Sequence, residues 1–158
     1  MNEGDSEPVP LGTFRIDREG AWRHEGQEVT HPGVLRNLYA NLRVDAGGHY
    51  LQVGRGRVAV EVDDAPFVAT RVEPLGEPGV GAQALRIYLS DGRDEILVPG
   101  SVWLGASGTP YCRVKSGDFA ARFALAAWLQ LAAFVEEGPG GEMTLVVGGR
   151  RFRLEQRA

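Results

Sequence analysis

Between residues 60 and 68 the chain reads Val60-Glu61-Val62-Asp63-Asp64-Ala65-Pro66-Phe67-Val68. Apolar residues alternate up to an acidic pair, and Pro66 then obliges Ala65 to stay extended. A strand therefore runs into a stiff turn and straight out into another strand. This block separates two halves of the 158-residue chain that read as copies of one motif. Asp63 and Asp64 invite reading as a catalytic carboxylate pair, yet neighbouring side chains on a strand point to opposite faces. One of them is expected to bond backbone donors in the turn, and a single functional acid is the other reading.

Residues 1–12 are acidic and polar and have the composition of a tail without fixed structure. They carry neither a basic leader nor an apolar core, so no secretory signal is expected. Thr13 to Asp17 and Ala21 to Glu25 alternate around Arg18-Glu19-Gly20, the pattern of a hairpin whose Phe14, Ile16 and Trp22 share a buried face. Thr30 or His31 would cap a helix with Pro32 in its first turn, and Leu35, Leu38, Tyr39 and Leu42 form its buried stripe. Strands at 49–53 and 57–63 follow. In the second half, short apolar runs at 67–72, 84–89 and 95–98 read as an antiparallel meander, and two further segments at 102–104 and 111–115 flank a Gly105 to Pro110 loop. Ser116-Gly117-Asp118 then caps a long apolar helix, interrupted only by Arg122 and Gln130, which is expected to be central and buried rather than membrane-spanning.

A repeat emerges from this order. After the first helix come Gly47-Gly48, a strand, Gly54 with basic residues and a second strand; after the last helix come Gly140-Gly141, a strand, Gly148-Gly149 with Arg150-Arg151 and a second strand. Duplication is the economical account. The organisation expected is a tail at 1–12, an N-terminal α+β subdomain at 13–64, and a C-terminal β-rich subdomain at 65–158 with a long helix at 118–137.

Charge narrows the function classes. The net charge of −4 and pI of about 5.4 argue against steering toward duplex DNA or an anionic membrane. A polyanion would need a local cationic pocket. Lys115 is the single lysine among many arginines, and Cys112 the single cysteine, so no intramolecular disulfide can form and a cytoplasmic protein is expected.

Ile16-Asp17, Gly20, Trp22, Tyr50-Leu51, the Glu61 to Val68 run, Pro110-Tyr111, and Val114-Lys115 with Gly117 and Ala121-Arg122 occur in an order that resembles the bacterial Domain of Unknown Function family 1285. The resemblance spans residues 14 to about 128. It implies a compact α+β fold with an internally duplicated core, whose C-terminal part resembles a pleckstrin-homology-like barrel. It further implies a ligand site at the interface of the two parts, a nucleotide or related anionic ligand, and a signalling role. The chain departs from that pattern at Leu125, where a second arginine is expected, at Val53-Gly54 in place of Thr-Pro, and at Leu89-Ser90 in place of Thr-Asn.

Arg122 is the sharpest candidate. In the first turn of an apolar helix the macrodipole disfavours a cation, and burying it unpaired would cost about 3–5 kcal/mol. Asp118 four residues earlier, an acid from the first half, or an anionic ligand would each supply the counter-charge. Gly54-Arg55-Gly56-Arg57 reads either as a phosphate cradle or as a hairpin turn with solvated arginines. His24, His31 and His49 lack metal-ligand spacing, and Ser107 lies outside a nucleophile elbow. Cys112, beside Arg113 and Lys115, is a packed strand cysteine or an oxidant sensor with a lowered pKa. Trp22, Trp103 and Trp128 read as core, and Tyr111 as core or as a stacking platform for a base.

The reading that follows is a non-enzymatic ligand-binding or regulatory module for a small anionic, nucleotide-like molecule between its two halves. Arg122, Lys115, Arg113 and Tyr111 would line the pocket, with Asp64 on the opposite wall. A signalling partner protein is implied; no cofactor, metal, membrane or DNA duplex is expected. The alternatives are a protein-interaction adaptor and an enzyme acting on nucleotides through Asp63 or Asp64.

Overall fold

The computed structural model describes residues 12–77 and 81–157. Residues 1–11 of the expected tail lie outside the described residues. The chain divides into two units, residues 1–66 and 67–158.

The first unit opens with β1 (Phe14–Ile16), β2 (Trp22–His24) and β3 (Gln27–Glu28). Asp17 shapes the β1–β2 turn, its carboxylate accepting from the backbone N–H of Glu19 (3.0 Å) and Ala21 (2.9 Å) and from Arg23 Nε (3.0 Å). Then α1 (Pro32–Ala40) begins where the sequence puts it. His31 is the cap, and its Nδ1 accepts from Gly33 (3.0 Å) and Val34 (3.3 Å). The helix is shorter than its apolar stripe suggests. Asn41 ends it, and Leu42 opens β4 (Leu42–Asp45), followed by β5 (Gly48–Val53) and β6 (Gly56–Val62). The six strands form one sheet in the order β3-β2-β1-β6-β5-β4, antiparallel except where β1 joins β6 in parallel. Ile16, Trp22, Tyr39, Leu42, Leu51, Val58 and Val60 are its buried core. Trp22 meets Tyr39 edge-on, with centroids 5.3 Å apart.

The second unit contains β7 (Phe67–Leu75), β8 (Ala84–Leu89), β9 (Asp94–Ile96), β10 (Trp103–Leu104), β11 (Pro110–Val114), β12 (Phe119–Phe123), α2 (Leu125–Ala132), β13 (Val135–Glu137), β14 (Met143–Val147), β15 (Arg150–Arg153) and β16 (Glu155–Gln156). Seven strands form a mixed sheet in the order β16-β10-β11-β12-β7-β8-β9, and β13-β14-β15 form a separate antiparallel sheet. The fold is therefore α+β, but the expected pleckstrin-homology-like barrel is not present. A barrel needs its first and last strands to bond around a closed ring. Here the end strands β16 and β9 are two and three residues long and do not pair with each other.

The long buried helix expected at 118–137 is also corrected. Residues 119–123 are strand β12, bonded on one side to β11 and on the other to β7, and only 125–132 are helical. Ser116-Gly117 is not a helix cap. Lys115, Ser116 and Gly117 take φ of 56°, 59° and 88°, which turns β11 back on itself. Ala121 and Phe123 are buried on one side of β12, sharing their face with Cys112 on β11.

Each unit has a helix leading into a three-stranded antiparallel meander, α1 into β4-β5-β6 and α2 into β13-β14-β15. The same closing bond recurs: Gln52 N–H donates to Asn41 C=O (2.9 Å), and Val146 N–H to Phe134 C=O (2.8 Å). No helix among the described residues is long and apolar enough to cross a membrane.

Candidate functional site

Strand pairing sets the geometry of the candidate residues, because residues directly opposite one another share a face. Across the seven-stranded sheet Glu155 lies opposite Trp103, Trp103 opposite Tyr111, Tyr111 opposite Arg122, and Arg122 opposite Val68. This row occupies the face away from buried Cys112, Val114, Ala121 and Phe123. The Trp103 and Tyr111 rings are stacked, 5.4 Å apart and 11° from parallel. The Arg157 guanidinium lies 4.6 Å from the Trp103 centroid. Gly105 is required beside this stack, since a Cβ there would come 2.8 Å from the Tyr111 ring.

Arg122 is half-buried within this row. Its position on a strand removes the expectation of an unfavourable helix macrodipole, and the helical i, i+4 spacing to Asp118 does not apply. Arg113 is two residues beyond Tyr111 on the same face. Its Nε and Nη2 donate to Gly117 C=O at 3.1 and 2.9 Å, which holds its guanidinium along the β11–β12 turn.

Lys115 is engaged elsewhere. Its Nζ is 2.7 Å from Oδ2 of the buried Asp91 and 5.4 Å from the Phe67 ring centroid. Its backbone N–H points at the Glu95 carboxylate, 3.3 and 3.4 Å from the two oxygens. Asp64 is half-buried at the end of the first unit, after β6. Its neighbour Asp63 is bonded by Arg15, which also holds Glu61. The structure thus gathers Tyr111, Arg113 and Arg122 on one face of the second unit, places Lys115 in the adjoining turn, and leaves Asp64 in the first unit.

Cys112, His31 and His24 have structural roles. Burial pushes the Cys112 thiol up to about 12, Glu95 adds to the shift and Arg113 opposes it, so the thiol is not a low-pKa oxidant sensor. His31 caps a helix and His24 stacks on Phe14. Among the described residues no three His, Cys, Asp or Glu side chains gather as a metal site. Two residues of the aromatic face carry no binding signal in the sequence. Trp103 reads as core there but is half-exposed beside Tyr111, and Arg157 reaches it only because β16 adds in parallel to β10.

No protein-family model matches the chain, and no curated protein does. Two solved structures resemble it. One is a protein of Domain of Unknown Function family 1285 from Silicibacter pomeroyi, with TM-score 0.74 and 26% identity over 94% of this chain and 87% of that one. The other is a protein of the same family from Shewanella baltica, with TM-score 0.63 and 19% identity over 79% of this chain and 92% of that one; it bears on the fold alone.

Proposed function

The chain belongs to Domain of Unknown Function family 1285, and on that premise we propose that it is a non-enzymatic module binding a small anionic, nucleotide-like ligand in a cytoplasmic signalling role. The observation that carries this reading is the row Trp103–Tyr111–Arg122. It sets a half-buried guanidinium opposite one ring of an aromatic stack, on one face of one sheet. A base stacked on such a platform gains about 1–3 kcal/mol. A charge-assisted bond from Arg122 to a phosphate or carboxylate contributes about 1.5–3 kcal/mol more. The protein's net charge of −4 opposes anion binding at long range, so the affinity has to come from these short contacts. Arg113 borders the face, and Lys115 supports it by fixing the turn that follows β11. Asp64 belongs to the first unit. Its neighbour Asp63 is paired with Arg15, which weighs against the catalytic alternative through Asp63.

A thermal-shift panel of nucleotides and phosphorylated metabolites tests this. A ligand present at a hundred times its Kd adds about 2.7 kcal/mol, roughly 5–10 °C for a chain of this size. The shift is expected to vanish in Arg122→Gln and in Tyr111→Ala, each measured against its own ligand-free melting temperature. A panel without any shift, or a shift that survives both substitutions, overturns the reading.

One observation favours a second, protein-interaction reading. The outer face of α2 exposes Leu125 (70%) and Leu129 (66%), and no charged residue occurs from Phe123 to Val135. A charge-free face selects an apolar partner. The face itself is such a surface, so the occupant this reading takes is a second copy of the chain.

A further inference from the structure

The first unit holds a cavity of its own. It arises because β1 joins the sheet late: its first residue, Phe14, pairs in parallel with Val60, whereas β6 begins at Gly56. Arg57, Val58 and Ala59 therefore run beyond the end of β1. The space left beside them is a cavity of about 570 Å³, with Phe14, Arg15, Arg23, Arg57, Val58 and Glu61 in its wall. That volume falls among those of small-molecule sites, roughly 300–1,000 Å³.

The three guanidinium groups in the wall are not equivalent. Arg15 is occupied, with Nη1 on Asp63 and Nη2 on Glu61. Arg23 uses only Nε, 3.0 Å from Asp17 Oδ2. Arg57 uses only Nη2, 2.7 Å from Asp45 Oδ2, and its guanidinium carbon lies 3.6 Å over the Tyr50 ring. Asp17 and Asp45 are not part of the cavity wall. Arg23 and Arg57 are thus held from outside the cavity, and each keeps N–H donors with no acceptor among the described residues. The Gly54-Arg55-Gly56-Arg57 run is resolved by the same geometry: Gly54 and Arg55 make the β5–β6 turn, and Arg57 stands in the cavity wall.

We infer that this cavity is a separate anion site that takes a small molecule with an oxyanion head and an apolar body, the head held by Arg23 and Arg57 and the body against Phe14 and Val58. The carboxylates around it, Asp17, Asp45, Glu61 and Asp63, outnumber the three arginines, so the site does not draw anions through a long-range field. Selectivity comes from the planar donor forks, which match a carboxylate or phosphate at contact distance. Glu61, the one carboxylate in the wall, is already matched by Arg15.

Amide chemical-shift titration of the full chain with phenyl phosphate tests the site, with inorganic phosphate and phenol as its separate halves. Saturable shifts are expected around Phe14, Arg23 and Arg57, and phenyl phosphate is expected to bind more tightly than either half. Arg23→Gln and Arg57→Gln should each weaken binding about tenfold, Arg57→Lys less, and Arg122→Gln not at all. The Arg57–Asp45 pair is solvent-exposed, and Asp17, the partner of Arg23, keeps its backbone donors at Glu19 and Ala21, so these variants keep the fold. The inference is overturned if no shift occurs at millimolar phenyl phosphate, if both glutamine variants bind as wild type does, or if phenol binds as tightly as phenyl phosphate. Loss of these shifts in Arg122→Gln overturns it too, since the ligand would then belong to the second unit's face; failure here leaves the aromatic-face reading untouched.

Discussion

Cys112 and Lys115 are near neighbours on the same β-hairpin with opposite relations to water. The Cys112 thiol is fully buried, and burial raises its pKa from 9.0 to about 12. The native state keeps this proton while the unfolded chain loses it, so the contribution is intact below about pH 9 and stability falls as pH rises from there towards 12. Urea unfolding at pH 8 and pH 10 should therefore show a steeper loss for wild type than for Cys112→Ala; equal slopes would contradict the buried protonated thiol. Lys115, by contrast, is part-exposed and sets its Nζ 2.7 Å from a buried acid, Asp91. Asp91 also accepts from the Arg93 N–H at 3.0 Å. Asp91→Ala leaves a part-buried ammonium and a backbone donor unmatched, and should cost about 1–3 kcal/mol. In a double-mutant cycle with Lys115→Met the double variant should lose less than the sum of the singles. Strict additivity would show that the pair is not coupled.

At the scale of elements, local signals were legible where they act locally. The His31-Pro32 cap, the Arg18-Glu19-Gly20 turn and the strands around 49–53, 57–63 and 84–89 follow from residues a few positions apart. Phe119 to Phe123 was not legible as a strand. Phe-Ala-Ala-Arg-Phe is apolar enough to fit either period, and alanine favours a helix. What decides it is pairing with β11 and with β7, the latter about fifty residues earlier in the chain. The same non-local pairing decides which candidates meet. Tyr111 faces Arg122 only because β11 and β12 form a hairpin, and Trp103 and Arg157 join them through contacts that no spacing announces. Gln130, conspicuous in an apolar helix, shows what its polarity is for: Oε1 accepts from the Val72 N–H at 2.7 Å, beside the irregularity in β7 between Ala69 and Arg71. Gln130→Leu orphans that donor and should cost about 1–3 kcal/mol in chemical unfolding. Gln130→Glu keeps an acceptor and should cost less; a larger loss for Glu would contradict this role.

At the scale of the molecule, the repeated helix-and-meander is the part of the architecture the sequence shows best, because glycine-turned hairpins leave their spacing in the chain. Whether a sheet closes into a barrel depends on the ends of the strand order, β16 and β9, which no local pattern ties together. The exposed face of α2 is short. Eight residues span about 12 Å, so the face buries far less than the roughly 800 Å² per partner of a stable dimer. Any self-association should accordingly be weak, visible in sedimentation only at high concentration and abolished by Leu129→Glu. A concentration-independent monomer would contradict it.

The central claim, that the Trp103–Tyr111–Arg122 face binds an anionic planar ligand, is tested most directly by nuclear magnetic resonance of the indole and amide signals during titration with adenosine monophosphate and related nucleotides. The account predicts saturable shifts of the Trp103 indole and of the Tyr111, Arg113 and Arg122 amides, lost in Arg122→Gln. Nucleotides at millimolar concentration that leave every one of those signals in place would contradict it.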